Sequence, residues 1–164
     1  MSMIGYLMRV SQAELDEYLN DSSLLEERIG DDNVDADKLV DIDKSWDGII
    51  YLLTGGSIKT AEHPLLRVLF SGQLIDEDQD LGYGPAHYLT PEQVRLLSVE
   101  LDAITREDLE QKYNAEEMTA LEVYPSIWED DKETFTYLAD NFESIKAIYA
   151  DAADNGEAVI TFLS

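Results

Sequence analysis

The sequence has 164 residues and no cysteine, and its 36 acidic and 11 basic side chains give a formal charge of −25 at pH 7. The missing cysteine excludes disulfides and thiolate metal ligands. The acidic excess argues against nucleic acid as a partner, because nucleic-acid binding depends on Lys and Arg neutralising phosphates. The length predicts one domain over residues 1–164, with 45% hydrophobic residues available for its core.

The sequence also lacks the signals of a membrane or secreted protein. No segment approaches the roughly 20 consecutive apolar residues that span a bilayer. The N-terminal segment MSMIGYLMRVS has neither the charged start nor the cleavage site of a signal peptide. We therefore expect a cytoplasmic protein without a membrane partner.

The N-terminal part of the chain predicts a strand followed by two helices. The apolar run at residues 4–10 has the length and composition of a buried strand. Ser11 and Glu14 have the spacing of a capping box, so a helix should begin there, and Ser23 repeats this pattern. The second helix should end at Gly30, before the acidic segment DDNVDAD.

Residues 41–55, DIDKSWDGIIYLLTG, predict a third helix with an unusual number of carboxylates at its start. Apolar side chains recur at helical spacing from Trp46 to Leu53, which places Trp46 in the core. Asp43 stands where a carboxylate can cap the helix, and Asp47 lies in the first turn, where the helix dipole favours it. The segment therefore reads mainly as a helix start, with a carboxylate site as the alternative.

The middle of the chain predicts a helix, a long loop and a short strand. Pro64 suits the first position of a helix and Gly72 its end. Residues 73–85 form a polar, glycine-containing loop, and residues 86–89 follow it as a strand. Thr90 then begins the next helix with a capping box.

The C-terminal part predicts three helices and a strand. Thr105 and Asn114 begin two helices, and Pro125 should end the second, since the residue before proline avoids helical geometry. A long amphipathic helix then runs to Gly156, and residues 158–163 close the chain as a strand. About seven helices and a small sheet that includes both terminal strands predict a compact α+β fold.

Five stretches in this order and spacing resemble the YfbM-like family, which comprises bacterial proteins of unknown function: MIGYLMRVS, DIDKSWDGIIYLLTG, LGYGPAHYLTPEQV, LEVYPSIW and NGEAVITFLS. The resemblance extends from the first strand to the last. It implies a single α+β domain in a bacterial cytosol. It brings no established reaction, cofactor or catalytic residue.

A second group of residues suggests a small-ligand site near the glycine loop. The two histidines lie far apart and lack ligand spacing, so neither a metal nor a cofactor is expected. A glycine-rich loop before a strand can nevertheless help to line a pocket for a small molecule. The residues that we expect to line it are Tyr83, His87 and Tyr88, facing Tyr6 and Arg9 on the first strand.

The sequence leaves two hypotheses of function. The first is a non-enzymatic, acidic binding domain for a basic protein, of the kind that an immunity protein provides, because clustered charge attracts the opposite sign. The second is a ligand-binding protein or enzyme with a site in residues 73–88. The acidity is also compatible with a role in solubility alone, and nothing in the sequence indicates an oligomeric state.

Overall fold

Both ends of the chain meet in the centre of an antiparallel sheet. A computed structural model describes residues 2–30 and 34–164. Its strands are β1 (Gly5–Val10), β2 (Leu39–Asp41), β3 (His87–Leu89) and β4 (Ala158–Leu163). The sheet order is β2-β1-β4-β3, and every neighbouring pair is antiparallel. The prediction that both terminal strands belong to the sheet is confirmed, and the structure pairs them directly.

Helices make up most of the remaining structure in these two ranges. The α-helices are α1 (Gln12–Asn20), α2 (Ser23–Gly30), α3 (Trp46–Thr54), α4 (Pro91–Asp102), α5 (Arg106–Lys112), α6 (Ala115–Ala120) and α7 (Lys132–Asn155). Two 3-10 turns cover Asp43–Ser45 and Pro64–Val68. The predicted α+β class with about seven helices is confirmed. Within the described ranges, none of these helices combines the length and apolarity needed to cross a membrane.

The sheet separates two hydrophobic cores. Successive side chains of a strand point to opposite faces, and both faces are covered here. Leu7 and Val159 pack into a large core with α3, α4 and α7, whereas Met8 and Ile160 pack into a smaller core with α1 and α2. The continuous apolar runs of β1 and β4 follow from this burial on both faces.

Local capping residues begin several helices as predicted. The Ser11 hydroxyl accepts a hydrogen bond from the Glu14 backbone N–H at 3.1 Å, and the Glu14 carboxylate accepts from the Ser11 N–H at 3.1 Å. Thr90 and Gln93 form the same reciprocal pair at the start of α4. Thr105 accepts from a backbone N–H at the start of α5 in the same way.

Helix α2 begins at Ser23 as predicted, but Ser23 does not cap it, and the predicted end of α6 was wrong. The carboxylate of Asp21, rather than Ser23, accepts a hydrogen bond at the start of α2, from the Ser23 backbone N–H at 3.1 Å. Helix α6 ends at Ala120 and does not extend to Pro125, because the chain turns at Glu122, where φ is 55°. The acidic segment predicted after α2 begins at residues 31–33, which lie outside the described residues.

The helix predicted to run from Pro64 to Gly72 is only the short 3-10 turn. The Val68 carbonyl accepts a hydrogen bond from the Tyr149 hydroxyl at 2.6 Å, and the Leu69 carbonyl accepts one from Thr161 at 2.6 Å. These carbonyls are therefore used by side chains of α7 and β4 and not by a continuing helix. Strand β2 was not predicted, since three residues are too few to show an alternating pattern.

Candidate functional site

Of the five residues expected to line a ligand pocket, four lie on opposite faces of the sheet and the fifth lies in a loop. Tyr6 and Tyr88 pack against the smaller core. Arg9 and His87 occupy the alternate positions of β1 and β3, which point to the other face. Tyr83 is half-buried in the loop before β3. The structure therefore does not bring these side chains into one pocket.

Arg9 is held by carboxylates at the end of the sheet. Its guanidinium donates to Glu157 at 2.6 Å and to Asp37 at 3.0 Å. The Glu157 carboxylate is largely buried, whereas that of Asp37 is exposed. Arg9 thus connects β1 to the segments before β2 and β4, and its charge is already neutralised.

His87 is engaged in the structure of the loop. Its Nδ1 atom accepts a hydrogen bond from the Gly72 backbone N–H at 3.1 Å, and its ring packs edge-on against Phe70 with centroids 5.3 Å apart. Gly72 has φ 82°, a conformation that favours glycine. Burial lowers the pKa of His87 below its ordinary value of 6.5. The neutral ring is therefore the form that supports the loop.

We expect the contact between His87 and Gly72 to weaken as the pH falls below 6.5. Because the folded pKa of His87 is lowered, the neutral ring contributes stability that is complete above 6.5 and is lost as the pH falls through the folded value. The NMR shift of the Gly72 amide should titrate with a midpoint below 6.5. In a His87→Asn variant, which keeps an acceptor but cannot titrate, this shift should stay constant in the same range. A wild-type midpoint above 6.5 would contradict the assignment.

An open groove of about 520 Å³ lies beside the start of α3. Three segments form it: the 3-10 turn before α3, the loop at residues 121–128 and the first two turns of α7. We call it the Asp43 groove. It is lined by Asp43, Lys44, Pro125, Ile127, Glu133, Thr134 and Tyr137.

Asp43 does not cap α3, which corrects the sequence-based expectation. It lies in the left-handed region with φ 53°, and its carboxylate accepts a hydrogen bond from the Tyr137 hydroxyl at 2.7 Å. The residue before α3 is Ser45, whose side chain makes no capping hydrogen bond. Asp43 begins the preceding 3-10 turn, and its side chain points to α7 rather than along the helix.

The hydroxyl of Tyr137 joins two walls of the groove. It donates to Asp43 and accepts from the Lys44 backbone N–H at 3.0 Å. Burial, together with the hydrogen bond to Asp43, raises the pKa of Tyr137 far above its usual range. The phenol is therefore neutral at physiological pH and acts as a fixed donor.

Asp47 is buried and binds two loops. The side chain is 2% exposed, and its carboxylate accepts from the Ile58 N–H at 2.7 Å and from the Tyr124 N–H at 2.9 Å. Burial raises the pKa of Asp47, and the two backbone hydrogen bonds act in the opposite direction. Its place in the first turn of α3 agrees with the sequence pattern, but its contacts show that it serves as a link between loops.

Trp46 lies in the core, as its position on the apolar face requires. It is 3% exposed and stacks on Tyr124 with ring centroids 5.3 Å apart. The indole N–H donates to the Met3 carbonyl at 2.9 Å, and the Met3 N–H donates to the Tyr124 hydroxyl at 2.9 Å. Together with Asp47, these contacts fix the loop that forms one wall of the Asp43 groove.

Uncommon backbone conformations concentrate around the same groove. Among residues 2–30 and 34–164, three non-glycine residues have positive φ: Asp43 at 53°, Glu122 at 55° and Ser126 at 66°. Asp43 lines the groove, and the other two belong to the loop beside it. Such conformations cost roughly 1–3 kcal/mol each and occur preferentially at functional sites. The backbone therefore independently marks this region as a candidate site.

The groove combines negative charge with exposed apolar surface. Ile127 is 50% exposed, and the acidic run EDDKE at residues 129–133 leads into α7. Asp131 caps α7 by accepting from the Thr134 N–H at 2.8 Å. In the part of the chain that the structure describes, no group of three or more His, Asp or Glu is placed to hold a metal ion. The arrangement suits a cationic, partly apolar ligand.

Comparisons with known proteins agree with this fold. A family model described as Domain of unknown function (DUF1877) matches residues 1–162. The crystal structure of YfbM from Escherichia coli, a protein of unknown function, has a TM-score of 0.80 and 18% sequence identity. The match covers 99% of this chain and 100% of that one, and at this identity it shows the fold alone. None of the curated proteins matches the chain.

The resemblance to the YfbM-like family is thereby confirmed over almost the full length. The family model begins at the first residue and ends two residues before the last, so it includes β1, β2, β3, all of β4 except its last residue, and the segments around the Asp43 groove. The chain belongs to the family described as Domain of unknown function (DUF1877).

Proposed function

We propose that this protein is a binding domain for a basic protein partner and that it accepts a cationic segment of that partner in the Asp43 groove. The observation that carries the proposal is the composition of this groove. It places two carboxylates, those of Asp43 and Glu133, beside the exposed side chain of Ile127 and the ring of Tyr137.

The lining of the groove supports recognition of a segment with both charged and apolar side chains. Asp43 and Glu133 supply negative charge at the surface, where the positive groups of a partner can reach them. Ile127 supplies apolar area that contact with a partner would remove from water. An aromatic ring such as that of Tyr137 also attracts a cation over its face.

The charge of the whole protein supports the same partner. With a formal charge of −25, the protein surrounds itself with a negative potential. Such a potential accelerates the association of oppositely charged proteins and repels like-charged ones. A second copy of the chain is therefore a poor occupant of the groove, and a basic protein is a favoured one.

A binding role also fits the state of the groove side chains better than catalysis does. The Tyr137 hydroxyl is hydrogen-bonded to Asp43 and to the Lys44 backbone. Its pKa is raised far from neutrality, whereas proton transfer is most efficient when the pKa lies near the working pH. The hydrogen bonds of the Tyr137 hydroxyl therefore serve to fix the shape of the groove.

The proposal predicts that a charge reversal within the groove weakens binding more than the same reversal elsewhere. The probe is a short labelled peptide in which arginine, lysine and leucine alternate. Glu133→Lys should reduce its affinity by about tenfold or more at physiological salt. Glu143→Lys, an identical charge change at an exposed position ten residues along α7, should reduce it by less than about threefold.

A third variant separates shape from charge. Ile127→Ser leaves the net charge unchanged and should still weaken peptide binding, because it removes exposed apolar area from the groove. Equal losses for Glu133→Lys and Glu143→Lys, with no effect of Ile127→Ser, would show that the peptide senses only the overall charge. That result would overturn the proposal, as would the absence of any binding by the wild type.

A further inference from the structure

We infer that the Asp43 groove is selective for arginine over lysine and that a guanidinium group of the partner lies over the Tyr137 ring between two carboxylates. This inference rests on the proposed binding function and specifies the side chain that is recognised. The observation that supports it is that the aromatic ring of Tyr137 has one acidic residue, Asp43, on one side and another, Glu133, on a second side.

The first carboxylate is fixed at the hydroxyl end of the ring. Asp43 accepts from the Tyr137 hydroxyl at 2.7 Å, and its own backbone N–H donates to the Asp41 carboxylate at 2.7 Å. Tyr137 also accepts a hydrogen bond from the Lys44 N–H. Contacts within the 3-10 turn and contacts with α7 therefore both fix the position of the Asp43 carboxylate. It is therefore preorganised at the edge of the groove before a ligand arrives.

The second carboxylate lies one helical turn away on the same face of α7. Glu133 and Tyr137 have the i, i+4 spacing, which places their Cβ atoms about 6 Å apart. Both line the groove, and Glu133 is exposed. A planar group stacked on the Tyr137 ring can therefore direct one edge to Asp43 and another to Glu133.

Arginine matches this arrangement, whereas lysine does not. A guanidinium is planar, stacks on aromatic rings and presents five N–H donors along its edges, so it can serve two carboxylates at once. An ammonium group is a compact point charge with a stronger hydration shell. Its three donors radiate from one nitrogen, so it is less suited than a planar guanidinium to spanning two carboxylates on different sides of a ring, and it gains less from stacking.

Other charges at the groove act in both directions. The N-terminal end of α7 carries a partial positive charge, which opposes a cation. The carboxylates of Asp131 and Glu133 in and before the first turn offset it. Lys44 also lines the groove and is the internal cation that a guanidinium must displace or avoid. The balance around the ring remains negative.

The test compares labelled peptides of alternating cationic residue and leucine that differ only in the cation: arginine, lysine or the neutral isostere citrulline. We expect the lysine peptide to bind the wild type about fivefold more weakly than the arginine peptide and the citrulline peptide to bind at least about twentyfold more weakly. Glu133→Gln should abolish the preference for arginine over lysine. Glu143→Gln, its matched control on α7, should leave the preference intact.

The outcomes separate this inference from the proposal on which it rests. Equal binding of the arginine and lysine peptides, together with loss of both in Glu133→Lys, would overturn arginine selectivity and leave the binding function in place. A preference for arginine that persists in Glu133→Gln would also overturn the inference, because it would locate the selectivity outside the groove. If neither cationic peptide binds the wild type, both fail. Thermal melts of each variant confirm that it is folded.

Discussion

Asp47→Ala is expected to lower the free energy of unfolding by about 2–4 kcal/mol, a large loss for a domain of this size. The substitution removes the acceptor of two backbone hydrogen bonds, from Ile58 at 2.7 Å and from Tyr124 at 2.9 Å. An N–H group that loses its partner away from water costs about 1–3 kcal/mol. Urea denaturation followed by circular dichroism measures the change.

Two further variants determine whether the loss comes from these hydrogen bonds. Asp47→Asn keeps one acceptor oxygen for one of the two backbone N–H groups but points its NH₂ group, a donor, at the other. It should therefore be only partly destabilising. Asp102→Ala removes an exposed carboxylate at the end of α4 and should change stability by less than about 0.5 kcal/mol. An Asp47→Ala variant within about 1 kcal/mol of the wild type would contradict the role of the carboxylate as a link between loops.

The features that the sequence predicted well are those determined by neighbouring residues. The capping box of Ser11 and Glu14 requires only a spacing of three residues, and that of Thr90 and Gln93 requires the same. The apolar runs of the terminal strands were recognisable because they are buried on both faces. In these cases the local pattern and the final packing favour the same structure.

The candidate site could not be predicted in this way, because its contacts join distant parts of the chain. Asp43 meets Tyr137 across 94 residues, and Asp47 meets Tyr124 across 77. Before folding, both aspartates have the sequence pattern of an ordinary helix start. Only the packing of α7 and the loop at residues 121–128 against α3 turns them into parts of a groove. The carboxylates of residues 41–47 and the acidic run EDDKE were the local indications of its chemistry.

The opposite error occurred at residues 73–88. Glycines, tyrosines and a histidine close together in the sequence suggested a pocket, but strand geometry separates adjacent side chains. His87 and Tyr88 are neighbours in β3 and therefore point to opposite faces of the sheet. His87 then accepts from Gly72, a contact that supports the loop itself. Proximity in sequence was misleading because the residues belong to a strand.

The groove depends on the core beneath it. In the loop at residues 121–128, Tyr124 donates its backbone N–H to Asp47 and stacks on Trp46. Within the same loop, Trp128 donates its indole N–H to the Val123 carbonyl at 2.7 Å. Variants in these residues should therefore alter the groove wall even though the groove lining is unchanged. We expect stability and peptide binding to decrease together for such variants. The exposed variant Glu133→Lys should weaken binding strongly and cost no more than about 1 kcal/mol of stability, through its position in the first turn of α7.

Gly48→Ala provides the most direct test of this dependence and should destabilise the protein by about 1–3 kcal/mol. Alanine normally stabilises a helix by up to about 1 kcal/mol relative to glycine. At this position, however, an added Cβ would lie 2.6 Å from the Trp128 ring and 2.7 Å from a Leu138 methyl group. Both side chains are buried, and the hydrogen bond to Val123 restrains the indole, so neither can easily move aside.

Gly30→Ala is the matched control, since nothing lies within 4 Å of the Cβ that it would add at the end of α2. It should leave stability unchanged or increase it slightly. In the Gly48→Ala background, Leu138→Val should restore part of the loss, because it withdraws one of the two groups that the new methyl group meets. Tryptophan fluorescence would report displacement of Trp128, and peptide affinity would report the accompanying change in the groove. If Gly48→Ala stabilised the protein as Gly30→Ala does, the contact of α3 with Trp128 and Leu138 would be looser than the structure shows, and the proposed dependence of the groove on this packing would be wrong.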